Sequence, residues 1–174
     1  MTKIKLKIDL AKDKSKKGIW QYAAYLAPIE TKFQLSLMEG NTPEVNFSRE
    51  IVLKREDLNP TGSLKDRGMA YLISRCYQDG LKNLVLSSSG NAAISSAVFC
   101  DLAKINLVVF VPKGINNKKL KKIEDYGIKV ISSLKPVSET IKFAKQNNFF
   151  NLRPSKSDFG SEGYQTIAFE IAEN

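Results

Sequence analysis

The sequence contains no histidine, and this absence removes several kinds of chemistry from its 174 residues. Without imidazole the chain cannot form a Ser-His or Cys-His catalytic pair or a histidine-ligated metal site. It has only two cysteines, Cys76 and Cys100, which fall among apolar residues of predicted helices without the spacing of metal ligands. We therefore expect no metal site, and we interpret both cysteines as buried free thiols in a reducing compartment.

Long apolar runs are also missing from the sequence. No run reaches the ~18 residues of a membrane span, so we expect no membrane partner. The first residues, Met1 to Leu6, are charged and lack the apolar core of a signal peptide. These features favour a cytoplasmic chain.

The positive charge of the chain has two explanations. The net charge is +9, and lysines cluster in residues 12–17 and 118–122. Such clusters suit nucleic acid or an anionic surface, but they also suit an ordinary solvated face. Because no nucleic-acid-binding motif accompanies the charge, we predict no nucleic-acid partner.

The hydrophobic pattern from Ile51 onward alternates between strands and helices. The segment 107–111 is almost continuously apolar, as is typical of a buried parallel strand. Strands are predicted at 51–56, 83–87, 106–111 and 128–132, and helices at 64–79, 91–103, 116–126 and 137–147. The pattern predicts an α/β fold with a Rossmann-like four-stranded parallel sheet and flanking helices over about 48–148. Alternation at 3–11 predicts a further strand, and the amphipathic segment 162–171 a further helix.

A lysine in the first turn of a predicted helix is the first candidate for function. Asn59 to Gly62 form a predicted turn, and Ser63 is the expected N-cap with Asp66 as its capping-box partner. Lys65 follows, where the helix dipole disfavours a cation. A partly desolvated amine there is suited to nucleophilic chemistry, although a solvent-facing lysine fits the same pattern.

A second candidate site lies where a predicted strand ends and a helix begins, at Ser88, Ser89, Gly90 and Asn91. Ligands of open α/β sheets bind beyond the carboxyl ends of the strands, and a helix N-terminus favours an anion. The segment also fits a plain N-cap. A nucleotide phosphate is disfavoured, because neither GxxxxGK[ST] nor GxGxxG occurs in the chain.

The segment Asn59 to Gly68 resembles the lysine motif of fold type II pyridoxal-phosphate (PLP) enzymes, and within them the threonine synthases. Segments 18–22, 39–43 and 162–171 are also similar to threonine synthase motifs. Three positions depart from those motifs, with Gln21 where Arg is usual, Glu44 where Leu is usual and Gln165 where Lys is usual.

The resemblance implies PLP as the cofactor and a role for each candidate residue. Lys65 would hold PLP covalently and act as acid and base, and Asn91 would contact the hydroxyl oxygen of the pyridine ring. The substrate carboxylate would be bound by Ser88, Ser89, Gly90 and Asn91. The implied reaction converts O-phospho-L-homoserine and water to L-threonine and phosphate, a step of threonine biosynthesis.

The resemblance further implies that the chain is the N-terminal half of such an enzyme. We expect residues 1–47 to belong to a large domain, 48–148 to form the small domain, and 149–174 to begin the incomplete large domain. The expected partners are an amino-acid substrate and the missing C-terminal half, in cis or in trans, with a homodimer as one option for the complete enzyme. Two alternatives stay open: another fold type II enzyme, similar to threonine dehydratase or cysteine synthase, and a non-catalytic anion-binding or interaction remnant.

Overall fold

A parallel sheet flanked by helices organises the chain in a computed structural model that describes residues 10–152 and 159–173. The strands are β1 (Glu44–Asn46), β2 (Val52–Lys54), β3 (Asn83–Ser87), β4 (Asn106–Pro112), β5 (Lys129–Ser133) and β6 (Phe150–Asn151). The α-helices are α1 (Lys65–Gln78), α2 (Asn91–Leu102), α3 (Asn117–Glu124), α4 (Pro136–Asn147) and α5 (Glu162–Glu173). Short 3-10 helices occur at Gly18–Tyr25, Thr31–Phe33 and Glu56–Leu58.

Four strands pair in parallel in the order β5-β4-β3-β6, and this confirms the predicted sheet type. Alternate side chains enter two separate cores, as the pleat of a strand requires. Leu107, Val109 and Val111 of β4 pack on the side of α1, α2 and α3. Val108 and Phe110 pack with Ala144 of α4 on the other side. The sheet is therefore covered on both faces.

One predicted member of this sheet is wrong. The segment 51–56 contributes only β2, which pairs antiparallel with β1 and lies outside the parallel sheet. Its apolar run suggested a buried strand, but Val52 is 55% exposed. The fourth place is taken by β6, whose two residues are too few to give a periodic signal.

The predicted helices form with small shifts at their ends. Asn116 caps α3, since its side-chain oxygen accepts a hydrogen bond from the Lys118 backbone N–H at 3.0 Å. Cys76 and Cys100 are buried and free, as predicted. The predicted strand at 3–11 lies almost entirely outside the described residues.

Segments before and after the central sheet pack on α1. Trp20 and Tyr22 are buried, and the Trp20 ring lies 5.9 Å from the Tyr71 ring of α1. The Tyr22 ring lies 5.6 Å from the ring of Phe169 on α5. In the described part of the chain, no helix combines the length and the apolar character needed to cross a bilayer.

Candidate active site

The N-termini of α1 and α2 lie at the same edge of the sheet. The two helices precede the parallel strands β3 and β4, so they run in the same direction. They touch where the Ser96 hydroxyl lies 3.1 Å from the Met69 sulfur. At 1.5 Å per residue this contact is about 6 Å below Lys65 and about 7.5 Å below Asn91. The two predicted site segments therefore begin at one level, beyond the carboxyl ends of the strands.

The loop between β3 and α2 is held by its backbone and leaves its tip open. The Ser88 N–H donates to the Phe110 carbonyl at 3.1 Å, and the Gly90 N–H donates to the Ser88 hydroxyl at 3.3 Å. Gly90 is the N-cap, and no side chain among the described residues caps this helix end. A Cβ at Gly90 would meet no atom within 4 Å. The start of α2, where Asn91 is exposed, can therefore offer backbone N–H groups to an anion.

Lys65 is the first residue of α1 and is half-buried. Its backbone N–H donates to the Ser63 hydroxyl at 3.3 Å. Its Nζ lies 4.9 Å from the centre of the Tyr164 ring, which α5 contributes. The amine thus lies between α1 and α5, and the sequence analysis had not predicted a contact between Lys65 and α5.

The expected capping box between Ser63 and Asp66 is wrong. Asp66 accepts hydrogen bonds from the backbone N–H (2.6 Å) and the hydroxyl of Thr61. The reason is that the helix begins at Lys65 instead of directly after Ser63, so Asp66 lies in the first turn and reaches back over the preceding loop. Asp66 therefore stabilises the turn that immediately precedes Lys65.

The turn itself is closed and anchored from both sides. The Gly62 N–H donates to the Asn59 carbonyl at 2.8 Å, and Gly62 has a φ of 87°, which favours glycine. The Asn59 side chain accepts from the Gly40 N–H at 2.9 Å and donates to a Glu56 carboxylate oxygen at 2.8 Å. These bonds couple the start of α1 to segment 39–43.

A buried ion cluster lies next to the turn. The Arg67 guanidinium, fully buried, bonds the Glu56 carboxylate through two contacts of 2.8 Å and the Glu170 carboxylate through contacts of 2.7 and 2.8 Å. Burial alone would raise the pKa of Glu56 and Glu170, but hydrogen bonds from Arg67 bring the net pKa of both carboxyls below the usual value. The same carboxylates raise the pKa of Arg67 despite its burial. All three groups therefore stay charged, and the cluster serves structure.

Sequence reasoning missed three residues, of which Arg67 and Tyr164 lie beside the lysine motif and Asn151 lies on β6, opposite Val85 of β3. Arg67 lay inside the lysine motif without an assigned partner, because its two carboxylates lie 11 residues before it and 103 residues after it, at no helical or strand spacing. Tyr164 occupies a position that the motif leaves variable. The Asn151 side-chain oxygen is buried and finds no hydrogen-bond partner within the described residues. Arg153, considered as a phosphate ligand, lies outside the described residues.

Comparison with known proteins places these motifs in a family. The family described as pyridoxal-phosphate dependent enzyme matches residues 35–174. A threonine synthase from Bacillus sp. (strain ULM1) is 32% identical over 164 residues, which cover 88% of this chain and 47% of the relative. The chain thus spans about half the length of the curated relatives that it matches.

Solved structures agree with the fold. A hydrogen sulfide-producing enzyme from Fusobacterium nucleatum superposes with a TM-score of 0.65 at 26% identity, covering 70% of this chain and 40% of its own. The processed form of threonine deaminase isoform 2 from Solanum lycopersicum, at 18% identity, gives a TM-score of 0.71 and covers 94% of this chain and 51% of its own. The resemblance drawn from the motifs is confirmed: this chain belongs to the pyridoxal-phosphate-dependent enzyme family.

Proposed function

We propose that this chain is the N-terminal half of a threonine synthase-like lyase that converts O-phospho-L-homoserine and water to L-threonine and phosphate. One observation supports it most: the helices that start at Lys65 and Asn91 begin at the same sheet edge, joined by the Met69–Ser96 contact. The similarity to a threonine synthase supports O-phospho-L-homoserine as the substrate. The buried free thiols of Cys76 and Cys100 fit a cytoplasmic location.

The residues present fit PLP and an amino-acid carboxylate. An amine in the first turn of α1 can hold the cofactor, and the uncapped start of α2, with open space beside Gly90, can accept a carboxylate. When bound, PLP supplies an electron-withdrawing ring that stabilises negative charge next to the substrate amino group.

Each residue has a separate role in this proposal. The Lys65 Nζ would carry the cofactor and then move protons between Cα, Cβ and Cγ of the substrate. The Asn91 amide would orient the ring by a hydrogen bond to its hydroxyl oxygen. The backbone of Ser88, Ser89 and Gly90, with Asn91, would hold the substrate carboxylate. Proton transfer and water exclusion both need a closed crevice, so we propose that turnover requires the C-terminal half.

The attachment of the cofactor can be tested by chemical trapping. Incubation with PLP followed by borohydride should add the mass of the cofactor to a peptide that contains Lys65. Joined to its missing half, the chain should absorb at about 410–430 nm, and Lys65→Ala should abolish both signals. Lys104→Ala is the matched control, because the Lys104 side chain is 81% exposed. Equal trapping in Lys65→Ala would contradict the assignment.

The reaction can be tested by phosphate release. The 174-residue chain with PLP and O-phospho-L-homoserine should release no phosphate above background, and adding the C-terminal half of a threonine synthase relative should restore turnover. Clear turnover by the chain alone would contradict the half-enzyme proposal.

The second candidate is a different fold type II reaction, which the solved threonine deaminase and sulfide-producing enzyme bring into consideration. If the completed enzyme forms 2-oxo acid from L-threonine, or sulfide from L-cysteine, faster than it releases phosphate, this candidate replaces threonine synthase. If the completed enzyme turns over none of these three substrates, a non-catalytic anion-binding domain is favoured.

A further inference from the structure

We infer that Tyr164 is a positioning residue, whose ring holds the amine of Lys65 against α5 before a cofactor arrives. The Lys65 Nζ lies 4.9 Å from the ring centre, within the range of a cation–π contact. Both side chains are half-buried, so water weakens this attraction less than it would at an open surface. We call this contact between the Tyr164 ring and the Lys65 amine the seat. The contact follows from the geometry, and its place in a PLP site rests on the proposed function.

The ring is fixed because α5 crosses α1 at very short range. A Cβ at Gly163 would lie 2.0 Å from the Arg67 carbonyl oxygen, so only glycine permits this approach. A Cβ at Gly68 would lie 2.2 Å from Cζ of Tyr164, which puts the ring directly over the backbone of α1. The Arg67–Glu170 ion pair ties the same two helices. Tyr164 is therefore part of a rigid crossing.

The ring is also electrically suited to hold a cation. Burial, with the nearby Asp66 carboxylate, raises the pKa of Tyr164 to about 12, so the phenol stays neutral at physiological pH. A neutral phenol offers the negative face of its π system to the ammonium. The N-terminus of α1 would repel that ammonium, and the ring offsets this repulsion. We expect the held amine to react more slowly than a free one.

The amine's reactivity can be measured by reductive methylation with formaldehyde and cyanoborohydride, which does not involve PLP. The rate at Lys65 is compared with the rate at exposed Lys104 in the same sample. Tyr164→Leu should accelerate Lys65 by about threefold to tenfold relative to Lys104, and Tyr164→Phe should stay within about twofold of wild type. Tyr126→Leu, at a Tyr 39% exposed, is the control for unspecific loosening.

Three outcomes would overturn the seat. If Lys65 is methylated in Tyr164→Leu at the wild-type rate, the ring does not restrain the amine. Acceleration in Tyr164→Phe equal to that in Tyr164→Leu would assign the effect to the hydroxyl. Equal acceleration in Tyr126→Leu would make it unspecific.

A spectroscopic signature keeps the inference testable if Tyr164→Leu does not fold. Methylene protons above a ring face resonate upfield, so wild type and Tyr164→Phe should show an upfield-shifted ε-methylene signal from Lys65. Lys12, Lys32 and Lys82 also place their amines over rings, so the Lys65 signal is identified as the one that Lys65→Ala removes. If Lys65→Ala removes no upfield-shifted signal, the seat is overturned. Because neither measurement uses PLP, the seat and the proposed function can fail independently.

Discussion

At the scale of single residues, Glu39 is a buried carboxyl whose ionisation is unfavourable, which its motif does not reveal. Its side chain is fully buried, and its hydrogen bonds come from neutral donors: the Leu37 N–H at 2.8 Å, the Ser36 hydroxyl at 3.1 Å and the Ile19 N–H at 3.4 Å. Burial raises its pKa to about 7 because the hydrogen bonds only partly replace lost hydration. Glu39 thus titrates near physiological pH.

This shift predicts a pH-dependent stability. Since the carboxyl pKa is about 7 in the folded chain and 4.5 ordinarily, the folded state binds the extra proton between these values. Stability should therefore be greatest below about pH 4.5 as far as Glu39 is concerned, fall as pH rises to about 7, and then level off. The loss is on the order of 3 kcal/mol, measured by urea unfolding at pH 5 and pH 8.

Glu39→Gln should remove this slope, because an amide does not titrate. Glu30→Gln, at an exposed carboxylate, should retain it. The carboxyls of Glu56 and Glu170, whose pKa is lowered, lose their stabilising charge only below their usual range and leave this window undisturbed. An unchanged slope in Glu39→Gln would contradict the assignment.

At the scale of elements, the close crossing of α1 and α5 depends on two glycines, Gly68 and Gly163. Gly163→Ala would place a methyl group 2.0 Å from the Arg67 carbonyl and separate the helices. Overpacking of this kind costs about 1–3 kcal/mol, more than the ~1 kcal/mol that alanine gains in helix propensity. The free energy of unfolding should fall, and Gln165→Ala, at an exposed position of the same helix, should not lower it. Stability equal to wild type in Gly163→Ala would show that the helices can move apart freely.

At the scale of the whole molecule, one guanidinium joins segments that are far apart in the chain. Arg67 bonds Thr42 and Glu56, which precede α1 in the chain, and Thr166 and Glu170 of α5, which follow it. Lys54 of β2 adds a contact to Glu170 at 2.9 Å. The described parts of both flanks are thereby tied to the helix that carries Lys65.

Arg67→Met should be strongly destabilising, because it leaves the buried Glu170 carboxylate and the half-buried Glu56 carboxylate without this guanidinium. We expect a loss of about 3–5 kcal/mol in urea unfolding. Arg67→Lys should recover only part of it, since an ammonium cannot make the same paired contacts. Lys104→Met, which breaks an exposed pair with Asp101, should change stability by less than about 0.5 kcal/mol. A loss below ~1 kcal/mol in Arg67→Met would mean that the cluster relaxes easily.

The sequence by itself was sufficient for the sheet type, four helices of the central unit and the family. β4 was predictable because its apolar run is continuous, and α1 because a turn with Pro60 and Gly62 precedes a helical period. The lysine motif and the loop at Ser88 to Asn91 were readable because each is a local pattern. Such features depend on residues within a few positions of one another, where propensity and spacing act directly.

Only the tertiary structure decided which strand completes the sheet and what surrounds Lys65. β6 replaces 51–56 because pairing with β3, and not local hydrophobicity, selects the fourth strand. Asp66 bonds Thr61, Arg67 meets Glu56 and Glu170, and Tyr164 reaches Lys65 because α5 crosses α1. The contacts of α5 with Arg67 and Lys65 join residues about a hundred positions apart and leave no periodic trace in the sequence, since they depend on how packed elements approach each other in space. The Asp66–Thr61 bond is local, but it depends on where the helix begins, and helix boundaries are the least predictable feature of a sequence.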